Sequence, residues 1–458
     1  MLAPVYGCLF VALLPVLYFL ELHIHNATSL AIQAELEVVT AYLVSLFASM
    51  LIYRVYFHRL RTFPVPFSAR LSKIWHAWQV RHSQNHLVMD NLYHNYGTFV
   101  RTRTDIDFYS RSRGNHHLPS GALVAMNGLG STCTRSDWYD GLSPLQSLAN
   151  IRNPIVHDQR RRIWDKAFSA AAVRDYDSRI VKYAEQLNQL IAASVDHPVK
   201  VYAKFGFFTS DVMSDLSFGK SFGQLVEDKF HHSVLGVREF MGVSGTMSPI
   251  PCNKPMMQLN GWESLMNFTK DSLRKRMMVN SHPSPDGVMT STALITLFAQ
   301  LARSPKYQDQ IFEEVQKISS VRLPSSLETP DPEERHHGNL ATMASSPNRW
   351  NDSFCTSLND CHICFEKATE FIPERWTTRP EIIIDKRAYN PFSMGRYSCV
   401  GQRLAMKKIS HRTALLVSKY TVEFGPDDDG TRCFRDMQDN LAMNPGRLDL
   451  VFRLRKAD

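Results

Sequence analysis

Pro391-Phe392-Ser393-Met394-Gly395-Arg396-Tyr397-Ser398-Cys399-Val400-Gly401-Gln402-Arg403-Leu404-Ala405 is the stretch that decides how this chain is read. It reads as a glycine-turned loop that presents one cysteine, with a helix starting immediately behind it. Gly395 and Gly401 flank Cys399 where a backbone can take positive φ or approach a flat ligand closely. From Gln402 to Val417, apolar residues fall at Leu404, Ala405, Ile409, Leu415 and Leu416, with Lys407 and Lys408 expected outward, a helical pattern. A cysteine just ahead of a helix N-terminus sees unpaired N–H groups and positive partial charge. Both favour the thiolate and make it a good soft metal ligand.

The spacing of Phe392, Gly395, Cys399 and Gly401 resembles the haem-binding loop of the cytochrome P450 family, Phe-x-x-Gly-x-Arg-x-Cys-x-Gly. Tyr397 stands where that pattern has arginine, and Arg396 comes one residue early. The resemblance implies a mainly α fold with small β-sheets and a haem b whose iron takes Cys399 as axial ligand, with Phe392, Gly395, Arg396 and Gly401 around it. It further implies a monooxygenase that inserts one oxygen atom from O2 into a small hydrophobic molecule. The loop is most like fungal members of secondary metabolism. Electrons would come from NADPH through a separate reductase, since nothing in the sequence resembles a flavin or nicotinamide site. Lys407, Lys408 and Arg412 follow the cysteine and offer an acidic reductase a basic face.

Three further segments carry the same resemblance. His157-Asp158-Gln159-Arg160-Arg161-Arg162-Ile163-Trp164 looks like the family's C helix. His157 and Arg161 share a helical face, where the family's corresponding pair holds a haem propionate. Asp211–Lys220 resembles the end of the E helix and reads as core packing. Phe371-Ile372-Pro373-Glu374-Arg375-Trp376 resembles the family's Phe-x-Pro-Glu-Arg-Trp segment.

Composition is that of a globular protein with a good-sized core: 458 residues, 44% hydrophobic and 21% charged. A formal charge of +8 suits an anionic membrane surface or an acidic protein partner, and no basic run interleaved with aromatics argues for nucleic acid. The eight cysteines are irregularly spaced in a long chain, which implies a reducing compartment rather than a disulfide framework. Two apolar stretches, Met1 to Leu20 and about Val38 to Phe57, are each long enough to span a bilayer. The alternative is that only the second spans and the first lies in the interface. Arg54, His58, Arg59, Arg61 and Arg70 after the second stretch place residue 58 onward in the cytoplasm. Asn26-Ala27-Thr28 in the intervening loop then forms a lumenal glycosylation acceptor. The expected organisation is a membrane anchor over 1–60, in the endoplasmic reticulum, and a haem domain over 61–458. Phe63-Pro64-Val65-Pro66-Phe67 is a stiff connector between them.

Two segments, about 103–135 and 280–364, depart from the family. The first is irregular and rich in Arg, Ser, Gly and His. In the second, Thr290-Ser291-Thr292-Ala293-Leu294 resembles the later half of the family's I helix, yet the preceding acid and alcohol pair that relays protons is missing. Asp286 and Thr290 are the nearest acid and hydroxyl, which makes Thr290 the candidate catalytic alcohol. No Glu-x-x-Arg pair occurs over 319–364, so Arg375 is expected to lack its usual carboxylate partner. These losses leave open a catalytically impaired or truncated haem-thiolate protein. A second alternative is a membrane-anchored interaction protein that binds zinc through Cys361 and Cys364, with Cys355 nearby.

Overall fold

The computed structural model describes residues 3–25, 28–58, 60–96, 100, 135, 139, 147–247, 288–321, 365–368, 370–386, 389, 391–440 and 442–455. Asn26, Asp286, Cys355, Cys361 and Cys364 lie outside the described residues, and so do most of the two atypical segments.

The chain divides into two compact units, the first including Met1–Ser72. In it, α1 (Ala3–His25) and α2 (Thr28–Ile52) are apolar helices, and α2 continues through a π-turn at Tyr53–Phe57. Thr28–Phe57 is the one described helix long and apolar enough to cross a membrane. It begins well before the Val38 boundary expected from composition, because Glu35 and Glu37 are carried within the helix. The α1 helix carries Pro15 within it, and its longest apolar run among described residues, Ala12–Ile24, falls short of the same length.

The second unit begins at Lys73. Its helices are α3 (Lys73–Gln79), α4 (Asn85–Tyr96), α5 (Pro154–Ala167), α6 (Ala170–Asp175), α7 (Asp177–Ala192), α8 (Val201–Phe218), α9 (Gln224–Glu227) and α10 (His232–Met247). They continue with α11 (Val288–Arg303), α12 (Pro305–Val321), α13 (Gln402–Lys419) and α14 (Thr431–Arg435). The described residues of this unit also form the short strands β1 (Pro198–Lys200), β2 (Tyr420–Phe424), β3 (Gln438–Asn440), β4 (Ala442–Asn444) and β5 (Asp449–Leu454). One antiparallel sheet runs β1-β5-β2, pairing Val199 with Leu450 and Val422 with Phe452; β3 and β4 form a second. The fold is mainly helical with small sheets, as expected.

The core forms where α8, α11, α13 and the first sheet converge. Every residue from Thr290 to Leu301 is buried, so α11 has no solvent face and runs through the interior. Phe298 meets Phe205 of α8 edge-on at 5.1 Å and Phe452 of β5 at 6.3 Å. The α8 helix is buried on almost all sides and stops at Gly219, whose φ of 71° lies in the left-handed region that closes a helix end. Asp211, expected in the core, is buried and also useful there. Its two carboxylate oxygens accept from Gln224 N at 3.2 Å and Leu225 N at 2.9 Å, capping α9.

Two expectations for the second unit are corrected. Lys408 and Arg412 are not on an outward basic face: they are 1% and 0% exposed. Helix α13 is hemmed in by α11 and α12, so the long stems pack inward and each cation meets protein. Lys408 Nζ contacts Met213 Sδ at 3.2 Å; Arg412 Nη1 donates to Ala184 O at 2.6 Å and its guanidinium sits 4.0 Å over Phe208. Lys407 is spent on Asp177. Nor is Arg375 left without polar partners. It is fully buried, and its guanidinium donates to the carbonyls of Glu366, Lys367 and Glu370 at 3.0–3.1 Å. The neighbouring Glu374 accepts from Tyr307 Oη at 2.9 Å and Lys306 Nζ at 3.2 Å on α12.

Gln308 of α12 ties helix to sheet. Its Nε2 donates to Leu301 O and Val422 O, and its Oε1 accepts from Val422 N, all at 2.8 Å. Gln308→Ala strips partners from buried backbone groups and should cost about 2–4 kcal/mol in urea unfolding followed by circular dichroism. Gln308→Glu, which keeps the shape but loses the donor, should cost a similar amount. His411 supplies a pH test. Neither ring nitrogen is bonded; burial, then the charges of Arg412 and Lys407, push its pKa from 6.5 down to about 4. Below pH ~6.5 the unfolded chain takes up a proton that the folded chain refuses, so stability falls as pH drops toward 4. The urea midpoint should therefore decline between pH 7 and pH 5 by the equivalent of about 2 kcal/mol, and His411→Asn should remove that slope.

Candidate active site around Cys399

The cysteine loop is held by its own backbone. Cys399 N–H donates to Phe392 O at 2.7 Å, which closes the loop, and a 3-10 turn at Gly395–Tyr397 lifts the chain toward the cysteine. Ser393 and Gly395 carry φ of 58° and 68°, so the positive φ expected at Gly395 is present and Ser393 shares it. Gly401 has φ −84° and caps α13. A Cβ there would lie 3.9 Å from Cys399 Sγ and 3.7 Å from Phe168, ordinary contact within the chain itself. Within the chain itself, neither backbone strain nor a close contact requires glycine at 401. Cys399 is exposed, whereas Cys433 is buried with its thiol pushed up to about 12 by desolvation. Only Cys399 of the two offers an accessible soft donor at a helix N-terminus.

Helix α5 supplies the second wall. It starts where Pro154 sits in the first turn and Asn153 Oδ1 accepts from Ile155 N and Val156 N. That start sets the face carrying His157 and Arg161, one turn apart, against the cysteine loop. Arg161 Nη1 donates to Ser398 O at 2.6 Å and Arg161 Nε to Asp165 Oδ1 at 2.7 Å. His157 is 1% exposed, and its ring meets the ring of Tyr397 edge-on at 4.8 Å. Asp158 lies between two bases: 3.1 Å from His157 Nδ1 and 3.4 Å from Arg396 Nε. Burial lowers the His157 pKa, opposed by the Asp158 hydrogen bond and reinforced by Arg135 and Arg161, so the ring is held toward the neutral form.

The structure thus brings Phe392, Gly395, Arg396, Cys399, Gly401, His157 and Arg161 into one constellation. Thr290 is not joined to it by any hydrogen bond among the described residues. It lies buried near the start of α11, where Thr292 Oγ1 donates to Met443 O and Thr296 Oγ1 to its own helix. Three participants escaped the sequence reading. Asp158 is adjacent to His157 and could have been paired with Arg396 by charge alone. Tyr397 registered only as a departure from a pattern. Arg135, whose guanidinium lies 4.2 Å over the Tyr397 ring, sits in the irregular 103–135 segment, where no periodicity marks it.

The donor set fits a haem. The loop presents an exposed thiol at a helix N-terminus, two arginines and a histidine line the adjoining wall, and the buried Tyr397 Oη has no partner among the described residues. The Cytochrome P450 family profile matches residues 355–452. Among curated proteins, the chain is 27% identical to cytochrome P450 monooxygenase lcsK of Purpureocillium lilacinum, covering 90% of this chain and 86% of that one. It is 28% identical to cytochrome P450 monooxygenase FCK2 of Fusarium pseudograminearum, covering 90% and 85%. It is 25% identical to tryprostatin B 6-hydroxylase of Neosartorya fischeri, covering 90% and 86%. A solved haem domain of a cytochrome P450DA mutant superposes with a TM-score of 0.56 at 17% identity, over 70% of this chain and 84% of that one, and so shares the fold. The cysteine loop, the shared fold and curated relatives along nearly its whole length make the chain similar to the cytochrome P450 monooxygenases.

Proposed function

We propose that this chain uses a haem held by Cys399 to insert one oxygen atom from O2 into a small hydrophobic intermediate of fungal secondary metabolism. The observation that carries this reading is the closed loop that presents Cys399 beside Gly401 and the N-terminus of α13. Bound haem would supply the oxygen chemistry, with electrons delivered from NADPH through a separate reductase. The chain's own residues position and tune it. Cys399 sits where the helix N-terminus favours thiolate, and Arg161 holds the loop through Ser398 O. His157, Arg161 and Arg396 place positive or donor groups where the anionic edge of the cofactor would lie. Thr290 is the hydroxyl proposed to hold a proton during turnover. The membrane helix Thr28–Phe57 would tether the haem domain to the endoplasmic reticulum on the cytoplasmic side.

Docking of the reductase shifts from α13 to α5. Arg160, Arg162 and Lys166 are exposed on α5, and Ile163 beside them is 58% exposed. Basic residues around an apolar centre suit a transient acidic partner. The catalytically impaired reading rests on two losses, the Glu-x-x-Arg pair and the acid and alcohol pair before Thr290.

The reduced, carbon-monoxide-bound difference spectrum of membrane-expressed protein should show the red-shifted Soret band of thiolate ligation. Cys399→Ala should abolish it, and persistence of that band in the variant would refute the assignment. Separately, the Arg160→Glu, Arg162→Glu double variant should keep the spectrum. It should raise the reductase concentration for half-maximal reduction about tenfold at low salt, with the gap narrowing as salt is added.

A further inference from the structure

Tyr397 is the side chain through which the cysteine loop meets its two aromatic and cationic neighbours. Its ring is gripped on two sides: Arg135 lies 4.2 Å over the ring and His157 meets its edge at 4.8 Å. Arg135 is itself fixed, since Nη1 donates to Leu148 O at 2.8 Å and Ile151 O at 3.2 Å, and its own carbonyl accepts from Arg152 Nε at 3.0 Å. This much anchoring orients one phenol. Yet Tyr397 Oη, buried, has no hydrogen-bond partner among the described residues. Leaving a buried hydroxyl unmatched costs about 1–3 kcal/mol, and native proteins keep such groups chiefly where something else supplies the acceptor.

The neighbouring side chains each hold at least one partner within the chain. Arg161 is used by Ser398 O and Asp165, Arg396 faces Asp158, and His157 Nδ1 also meets Asp158. Tyr397 is thus the donor in this cluster whose acceptor is missing, two residues from the cysteine. The attraction between the guanidinium and the ring face holds the phenol in one orientation.

We propose that Tyr397 and Arg135 together replace the arginine that this loop lacks. Tyr397 Oη donates to a carboxylate on the edge of the bound haem, and Arg135, stacked on the ring, supplies the balancing positive charge. The proposal rests on the reading that Cys399 holds haem. It makes Arg135, from a segment without recognisable pattern, a positioning residue for the cofactor.

Haem release from the loaded full-length protein to excess apomyoglobin tests it. Tyr397→Phe keeps the ring and both ring contacts but removes the donor. Release should accelerate about tenfold, while the carbon-monoxide spectrum keeps its thiolate-type band. Arg135→Met should also accelerate release, and the double variant should fall short of the product of the two effects because both act on one carboxylate. If Arg135→Met does not fold, Arg135→Lys keeps the charge without the planar stack and should give a smaller acceleration. Unchanged or slower release in Tyr397→Phe would overturn the proposal, because a ring that merely packs loses nothing with its unmatched hydroxyl. Failure of the underlying haem reading shows differently, as a thiolate-type band that survives Cys399→Ala.

Discussion

Burial of α11 from Thr290 to Leu301 is the constraint on which the second unit depends. A helix with no solvent face must find an apolar or hydrogen-bonded neighbour in every direction. Helix α8 answers with Phe205, β5 with Phe452, and α13 with Leu416. The polar side chains of α11 are answered locally, Thr292 by Met443 O on β4 and Thr296 by carbonyls of its own helix. Because α12 follows α11 directly, Gln308 can bond both the end of α11 and the backbone of β2. The central helix thereby fixes the sheet on one side and α13, hence the cysteine loop, on the other.

Buried cations are the second theme. Arg375, Arg412 and Lys408 are each nearly inaccessible. Paired carboxylates are the usual remedy for such charges. Here the partners are mostly dipoles and polarisable groups: three carbonyls for Arg375, a carbonyl and the Phe208 face for Arg412, a thioether for Lys408. For Arg412 the compensation is incomplete, since burial pulls its pKa down to about 9. Arg375 is the informative case, because three backbone carbonyls converge on its two Nη atoms.

At the site, the same economy recurs. Asp158 serves His157 and Arg396 together, and Arg161 spans Asp165 and Ser398 O. Helix α5 and the cysteine loop are therefore joined by side chain to backbone as well as by ring contact. A carbonyl and a tyrosine ring accept what a generic salt-bridge picture would assign to charged partners.

The cysteine loop was legible from residues alone, because glycine spacing, a single cysteine and a helix start are local requirements of one short segment. The same holds for the helical character of α5, whose Asn153 and Pro154 mark its beginning, and for the apolar run within Thr28–Phe57. The inward turn of Lys408 and Arg412 was not legible, since helical period distinguishes faces but not how many neighbours a helix has. Arg375's cage and Arg135's stack on Tyr397 were equally hidden. The first depends on carbonyls whose direction is set by backbone conformation, and the second on residues 262 positions apart in sequence, 135 and 397, meeting in space. Sequence determined which local pieces exist and that Cys399 is presented. Tertiary structure decided which charges are buried and what satisfies them, because a side chain's partners follow from the packing of distant elements, which no local pattern encodes.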